Sequence, residues 1–146
     1  MENLLIKKIN PNATIPTYAT AGSAGLDLYA CIDEPVTIEP NKSHLFGTGL
    51  AIALPNNEYV ALIYARSGLS VKHGLIPKNC VGVIDSDYRG ELCVCLQNIS
   101  DKPYTVAPND RIAQMVISFS PRLNIVETDS LDTTGRANGG FGSSGM

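Results

Sequence analysis

Apolar residues come in short bursts along this chain, with polar and turn-forming residues between them. Leu4–Ile9, Leu26–Ala30, Val36–Ile38, Leu50–Leu54 and Tyr59–Tyr64 are each short and rich in apolar or aromatic side chains. Cys80–Ile84, Glu91–Gln97, Tyr104–Val106 and Arg111–Phe119 continue the series. Pro11-Asn12, Glu34-Pro35, Pro40-Asn41 and Pro55-Asn56-Asn57 supply turn chemistry between bursts. Turn signals at intervals of roughly 8–12 residues predict an all-β sandwich or barrel.

One stretch departs from this pattern. Ser67–Gly74 offers Ser67 as an N-cap, Lys72 and His73 for a last turn, and Gly74 as the glycine that ends a helix. It predicts one short helix after the strand that closes near Ala65, with free N–H groups at its start for an anion. A second departure is Gly82–Leu92. Apolar residues stop at Ile84 and resume at Leu92, around Asp85, Asp87, Tyr88 and Arg89. This reads as a β-hairpin bent around something polar, with an acid and a tyrosine forming one wall of a small-molecule pocket.

After Ile125 the composition changes: from Thr128 to Met146 the core formers thin out to Leu131 and Phe141, and glycines crowd the last residues. Such a tail cannot offset its own ordering entropy and should be mobile. It nevertheless holds Arg136, Phe141, Gly142, Ser143 and Ser144. Glycine backbone can wrap phosphate oxygens, arginine pairs with phosphate, and an aromatic ring stacks on a planar base. The tail therefore reads as a lid over a nucleotide.

The 146 residues fit one domain with a sizeable core. A net charge of -3, with 17% charged residues, gives no broad basic face for non-specific nucleic-acid binding. An anionic ligand would need locally placed Arg, Lys, backbone N–H groups or a metal. The four cysteines, Cys31, Cys80, Cys93 and Cys95, lack metal-site spacing with His44 and His73. Cys93 and Cys95 share a strand face about 6.8 Å apart, a poor disulfide geometry, so buried free thiols in a reducing compartment are expected. The first apolar run is too short for a signal peptide and no stretch approaches a membrane span. A soluble, cytoplasmic or otherwise intracellular protein is expected, with no membrane or nucleic-acid partner.

Three further segments carry candidate chemistry. Ala65-Arg66-Ser67-Gly68-Leu69 ends a strand in an arginine and a hydroxyl at a helix start, which suits phosphate and equally suits an ordinary cap beside a surface arginine. In Ala24-Gly25-Leu26-Asp27-Leu28-Tyr29, Asp27 shares a strand face with Gly25 and Tyr29, in a site or on a solvated edge. Asp110-Arg111-Ile112-Ala113-Gln114-Met115-Val116 opens a long strand on which Gln114 could face a pocket or solvent.

Taken in order, AGLDLY, ARSGLS, GVIDSDYRGEL, DRIAQMV and RANGGFGSSG are similar to the five motifs of the homotrimeric dUTP diphosphatases (dUTPases). They span Ala24 to Gly145. The resemblance implies a jelly-roll-like β-barrel over residues 1–127 and a glycine-rich arm, residues 128–146, that closes a neighbouring subunit's site. It implies hydrolysis of dUTP to dUMP and pyrophosphate with Mg²⁺, keeping uracil out of DNA and supplying dUMP. Asp85 would activate the attacking water at the α-phosphorus. Tyr88 would lie under the deoxyribose. Asn79 and the backbone near Val83 would read uracil. Arg66, Ser67, Gly68 and Gln114 would position phosphates and water. Asp27 would reach Mg²⁺ through water. Arg136 would hold the terminal phosphate, Phe141 would cover the base, and Gly142, Ser143 and Ser144 would close over the phosphates. Asp87 and Arg111 would make structural contacts that orient the site.

Two departures are visible: Ala65 stands where many members have proline, and Ser144 where threonine is commoner. Neither removes a functional group. A dCTP deaminase on the same fold would use a glutamate in a different hairpin, so Asp85 favours the hydrolase. A nucleotide-dependent regulatory protein is the alternative from another class, and a regulatory protein partner is compatible with either.

Overall fold

The computed structural model describes residues 2–135 and 137–139. Eleven strands and one helix follow in the order β1 (Leu5–Lys8), β2 (Leu26–Tyr29), β3 (Val36–Ile38), β4 (Ser43–Gly47), β5 (Leu50–Ala53), β6 (Tyr59–Tyr64), α1 (Ser67–His73), β7 (Leu75–Pro77), β8 (Gly82–Ile84), β9 (Cys93–Asn98), β10 (Tyr104–Val106) and β11 (Arg111–Phe119). All ladders are antiparallel. They form the sheets β2-β11-β6-β8, β4-β9-β7, β1-β5 and β10-β3, wrapped around one apolar core in a jelly-roll-like arrangement.

Period-two alternation drives this arrangement. In β2, Leu26 and Leu28 are buried while Asp27 and Tyr29 lie half-exposed on the other face. In β9, Val94, Leu96 and Asn98 point inward. Phe46, Leu28, Ile38, Leu75, Leu96 and Met115 are among the fully enclosed side chains, each contributing roughly 1.5–3 kcal/mol by leaving water. Asn98 is buried among them because all its bonding capacity is used. Its Nδ2 donates to the carbonyls of Ile38 (2.9 Å) and Lys102 (2.7 Å), and its Oδ1 accepts from the N–H (2.9 Å) and hydroxyl (2.7 Å) of Ser100.

The pairing of β11 with β2 shifts register between Arg111 and Ala113. Ile112 and Ala113 are consecutive buried residues there, as a β-bulge permits. The extra residue turns Arg111 onto the outer face shared by Gln114 and Asp27, where a regular strand would have directed it inward.

Several expectations need correction. Cys80–Ile84 and Glu91–Gln97 do not pair as a hairpin: β8 pairs with β6, and β9 pairs with β4 and β7. Cys80 and Val81 precede the strand, with Cys80 in the left-handed region at φ 63°. β4 and β7 were not expected, since both are short and open next to Lys42 or Gly74. The N-cap of α1 is Arg66, not Ser67. Arg66 has extended backbone, makes no side-chain cap bond, and its carbonyl accepts the N–H groups of Leu69 and Ser70. Gly74 ends the helix as expected, at φ 66°, and a side chain there would also strike Ser100. The cysteines are free but not buried: Cys80 and Cys93 are exposed, Cys31 and Cys95 half-buried.

Candidate functional site

Two groups of polar side chains emerge from this framework. The first forms where β11 lies between β2 and β6. Gln114 is opposite Asp27 on one side and Tyr64 on the other. Arg66 leaves the end of β6 and donates from Nε to Asp27 Oδ1 at 2.8 Å. Arg111 donates from Nη1 to Asp27 Oδ2 at 3.2 Å. One carboxylate is thus held between two guanidinium groups, and the cluster keeps a net positive charge. Arg66 also donates from Nη1 to the Arg111 carbonyl at 3.3 Å, while among the described residues its Nη2 makes no bond.

Gln114 donates from Nε2 to the Ala65 carbonyl at 2.8 Å. That bond uses a carbonyl, which a proline at position 65 would equally offer. A β-carbon at Gly25 would lie 2.9 Å from Gln114 Oε1, so a side chain there would displace that amide. Ser67 and Gly68 are exposed at the start of α1. A small cavity of about 160 Å³ adjoins Arg66 and Arg111, with Tyr104 and Asp110 in its wall. Burial and then the Asp110 carboxylate push the Tyr104 phenol up, and Arg66 opposes them.

The second group surrounds a slot between sheets. β8 has a ladder only on its β6 side. On β9, the β7 ladder covers Leu96 to Asn98, and Lys78 adds one bond to the Cys95 carbonyl. The edges of Gly82–Ile84 and of Cys93–Val94 therefore line a cavity of about 180 Å³ with Asn79, Ile63 and Pro77. Tight turning carries Asn79 there: the N–H of Cys80 bonds the Pro77 carbonyl and that of Val81 bonds the Asn79 carbonyl.

A wider cavity of about 430 Å³ continues past Val83 to Asp85, Tyr88 and Glu91. Asp85 opens a turn in which the Tyr88 N–H bonds its carbonyl at 3.1 Å. Arg89 ties the turn to itself, donating from Nη1 to the carbonyls of Ser86 (2.8 Å) and Tyr88 (2.9 Å). The Asp85 carboxylate is exposed and has no bonding partner among the described residues. Asp87 is likewise exposed and makes no side-chain hydrogen bond or ion pair among them, whereas Arg111 makes the structural contact expected of it. The Cys93 thiol in the slot wall is pushed up by burial first and by the Glu91 carboxylate second.

Asn79, Val83, Asp85 and Tyr88 are thus brought together, and so are Asp27, Arg66, Arg111 and Gln114. The cavities beside the two groups share no lining residue. Arg136, Phe141, Gly142, Ser143 and Ser144 lie outside the described residues. Glu91, Leu45 and Cys93 also line the slot or its mouth and were not singled out from sequence, where they look like ordinary strand residues.

No three His, Cys, Asp or Glu side chains converge as a metal cage among the described residues. Asp27 is already neutralised by its two arginines. The cluster by itself offers a cation no free carboxylate, so a Mg²⁺ would be met there only through its waters and would need charged oxygens from elsewhere.

A dUTPase family model matches residues 11–145. A deoxyuridine 5'-triphosphate nucleotidohydrolase of Idiomarina loihiensis is 48% identical over 142 residues, covering 97% of this chain and 94% of the relative. One from Neisseria gonorrhoeae is 51% identical over 131 residues, 90% of this chain and 87% of the relative. Among solved structures, the dUTPase of Staphylococcus bacteriophage 80alpha with dUPNHPP superimposes with a TM-score of 0.90 at 26% identity, covering all of both chains. A dUTPase from phage phi11 of S. aureus, in which a structural Mg(II) ion is coordinated, matches with a TM-score of 0.81 at 23% identity over 90% of this chain and all of that one, a likeness of fold alone.

Proposed function

The chain belongs to the dUTPase family, and from that premise we propose that its slot and its arginine cluster, met across the chains of a homotrimer, hydrolyse dUTP to dUMP and pyrophosphate. The observation that carries this reading is the slot. Two unpaired strand edges and the Asn79 amide offer donors and acceptors to a planar ring, and uracil presents O2, N3–H and O4 in return. Cytosine reverses two of these positions, leaving bonds unmade at about 1–3 kcal/mol each.

Tyr88 sits at the mouth of the slot, where its ring would lie under the deoxyribose and leave no room for a 2′-hydroxyl. Asp85, beside it and without a bonding partner among the described residues, is the general base. It takes the proton of the attacking water as that oxygen bonds the α-phosphorus and the bridging bond to pyrophosphate breaks. Such a base contributes roughly 10²–10⁴-fold.

The arginine cluster of another chain supplies the phosphate site. Asp27 holds Arg66 in place, so the free face of its guanidinium meets the phosphates without first being ordered. Ser67 and Gly68 border the same phosphates. Gln114, anchored through Nε2, keeps Oε1 free to orient water. Mg²⁺, when bound on the triphosphate with Asp27 reaching it through water, would neutralise phosphate charge.

Two observations support the homotrimer. One chain does not unite both groups around a common cavity. Leu123, Ile125 and Val126 are also largely exposed, as residues that a neighbour covers would be. The arm, residues 128–146, then closes a neighbour's site through Arg136, Phe141, Gly142, Ser143 and Ser144, excluding bulk water. No helix among the described residues is long and apolar enough to cross a membrane, and the enzyme is taken to act inside the cell.

Pyrophosphate release from dUTP, UTP, dTTP and dCTP with Mg²⁺, measured side by side, tests the reading. Release from dUTP alone is expected. Ammonia from dCTP would make the protein a deaminase, and no product from any nucleotide would make it a binding scaffold. Asp85→Asn should abolish turnover yet keep dUTP binding; equal loss of both would remove Asp85 from the role of base.

A further inference from the structure

Tyr88 is 44% exposed, yet steric discrimination demands a fixed ring. Its hydroxyl donates to the Glu91 carbonyl at 3.0 Å, so the ring is only as fixed as Glu91. Glu91 is in turn held through its side chain. Its Oε1 accepts the Gly49 N–H at 2.7 Å. Gly49 is itself buried, and its carbonyl accepts the N–H groups of Ile9 (2.9 Å) and Asn10 (3.2 Å). Gly47 leaves the space that the carboxylate fills, since a β-carbon there would collide with Glu91 Oε1 and lie 3.0 Å from Cδ. One residue later, the backbone is locked into the body by Leu92 N–H to the Leu50 carbonyl (2.8 Å) and by Thr48 N–H to the Leu92 carbonyl (3.0 Å).

We infer that Glu91 is a positioning residue for sugar selection: its carboxylate, bound to the Gly49 amide, sets the carbonyl that holds the Tyr88 ring. This rests on the reading of Tyr88 as the residue that excludes a 2′-hydroxyl. The requirement is for an acceptor oxygen at the end of a two-methylene arm. Glutamine meets it, whereas aspartate is too short and alanine has none.

The test measures kcat/KM for dUTP and for UTP in the full-length protein and in Glu91→Ala, Glu91→Asp, Glu91→Gln and Tyr88→Ala, with a thermal melt of each. In Glu91→Ala and Glu91→Asp the dUTP:UTP ratio should fall about tenfold, the effect of losing one hydrogen bond to a charged group. Glu91→Gln should restore the ratio and leave the pH profile of kcat unmoved. A lowered melting temperature with an unchanged ratio would make Glu91 merely structural and overturn the inference. So would a Glu91→Gln variant as impaired as Glu91→Ala. If Tyr88→Ala itself keeps the ratio, the sugar-exclusion reading of Tyr88 fails; if only Tyr88→Ala loses it, that reading stands and the role of Glu91 falls.

Discussion

Replacing Gly90 by alanine displaces the Tyr88 ring and touches little else. Gly90 is exposed and has no left-handed backbone to lose, so the only change is one methyl group. A β-carbon at position 90 would lie 2.6 Å from Tyr88 Cζ and 3.0 Å from Cε2, with Oη closer still. Carbon atoms in contact settle at about 3.5–4.0 Å, so the ring must retreat by about 1 Å. The 3.0 Å bond from its hydroxyl to the Glu91 carbonyl is then lost, at about 1 kcal/mol. Removing a glycine from the unfolded chain returns roughly 0.4–1 kcal/mol, so the melting temperature should barely move.

Catalysis is less forgiving, because a misplacement of about 1 Å can cost on the order of 10²-fold, or ~2.7 kcal/mol of barrier. Steady-state pyrophosphate release from dUTP and UTP would be followed alongside thermal melts. The kcat/KM for dUTP should fall by about one to two orders of magnitude, with a smaller fall for UTP. Gly22→Ala, where a β-carbon meets nothing within 4 Å, should match the parent. A Gly90→Ala enzyme that keeps both the parental rate on dUTP and the parental dUTP:UTP ratio would refute the argument that ring position sets selection.

Two stability predictions follow from other parts of the molecule. Asn98→Ala empties a fully enclosed side-chain site and takes the amide donor from the Ile38 carbonyl and the acceptor from the Ser100 N–H, while the Ser100 hydroxyl still meets the Lys102 carbonyl; it should lower unfolding free energy in urea by about 3 kcal/mol, and a loss under about 1 kcal/mol would show that water replaces the amide. Alkaline pH should destabilise the fold. The thiols of Cys31 and Cys93, raised chiefly by burial and then by Glu91, and the Tyr104 phenol, raised by burial and then by Asp110, release protons more readily in the unfolded chain. Stability is therefore complete below the ordinary thiol value of 9.0 and falls as pH climbs through it. A urea midpoint that stays flat from neutral pH into that range would show that these groups titrate alike in both states.

Much of the strand inventory was legible because alternation is a local property. Leu26-Asp27-Leu28-Tyr29 sorts its side chains between two faces wherever the strand is placed, and Gly74 ends a helix by its own backbone preference. The five motifs likewise name Asp85, Tyr88, Arg66 and Gln114 without any coordinates. Alternation does not say which strand lies alongside, however, and here it misled. Residues 82–84 and 93–98 look like the arms of one hairpin, yet they belong to different sheets, and the slot exists because their facing edges do not pair. Partner choice depends on how the whole chain closes around Leu28, Phe46, Leu96 and Met115, a contest among distant segments that no local window contains.

The same holds for the charges. Asp27, Arg66 and Arg111 are far apart in sequence and meet because β11 inserts between β2 and β6 and a bulge at Ile112 turns Arg111 outward. Glu91 lies inside the third motif, yet nothing in the sequence assigned it a role. Its neighbours Gly47 and Gly49 come from another strand and the turn after it, and only the packing of that turn against the start of β9 turns an ordinary glutamate into the anchor of the Tyr88 ring. The sequence by itself determined which residues are apolar, roughly where most strands and the helix lie, and what chemistry is available. The tertiary structure decided which edges stay open and which charges meet, because those depend on contacts between segments that the chain brings together only on folding.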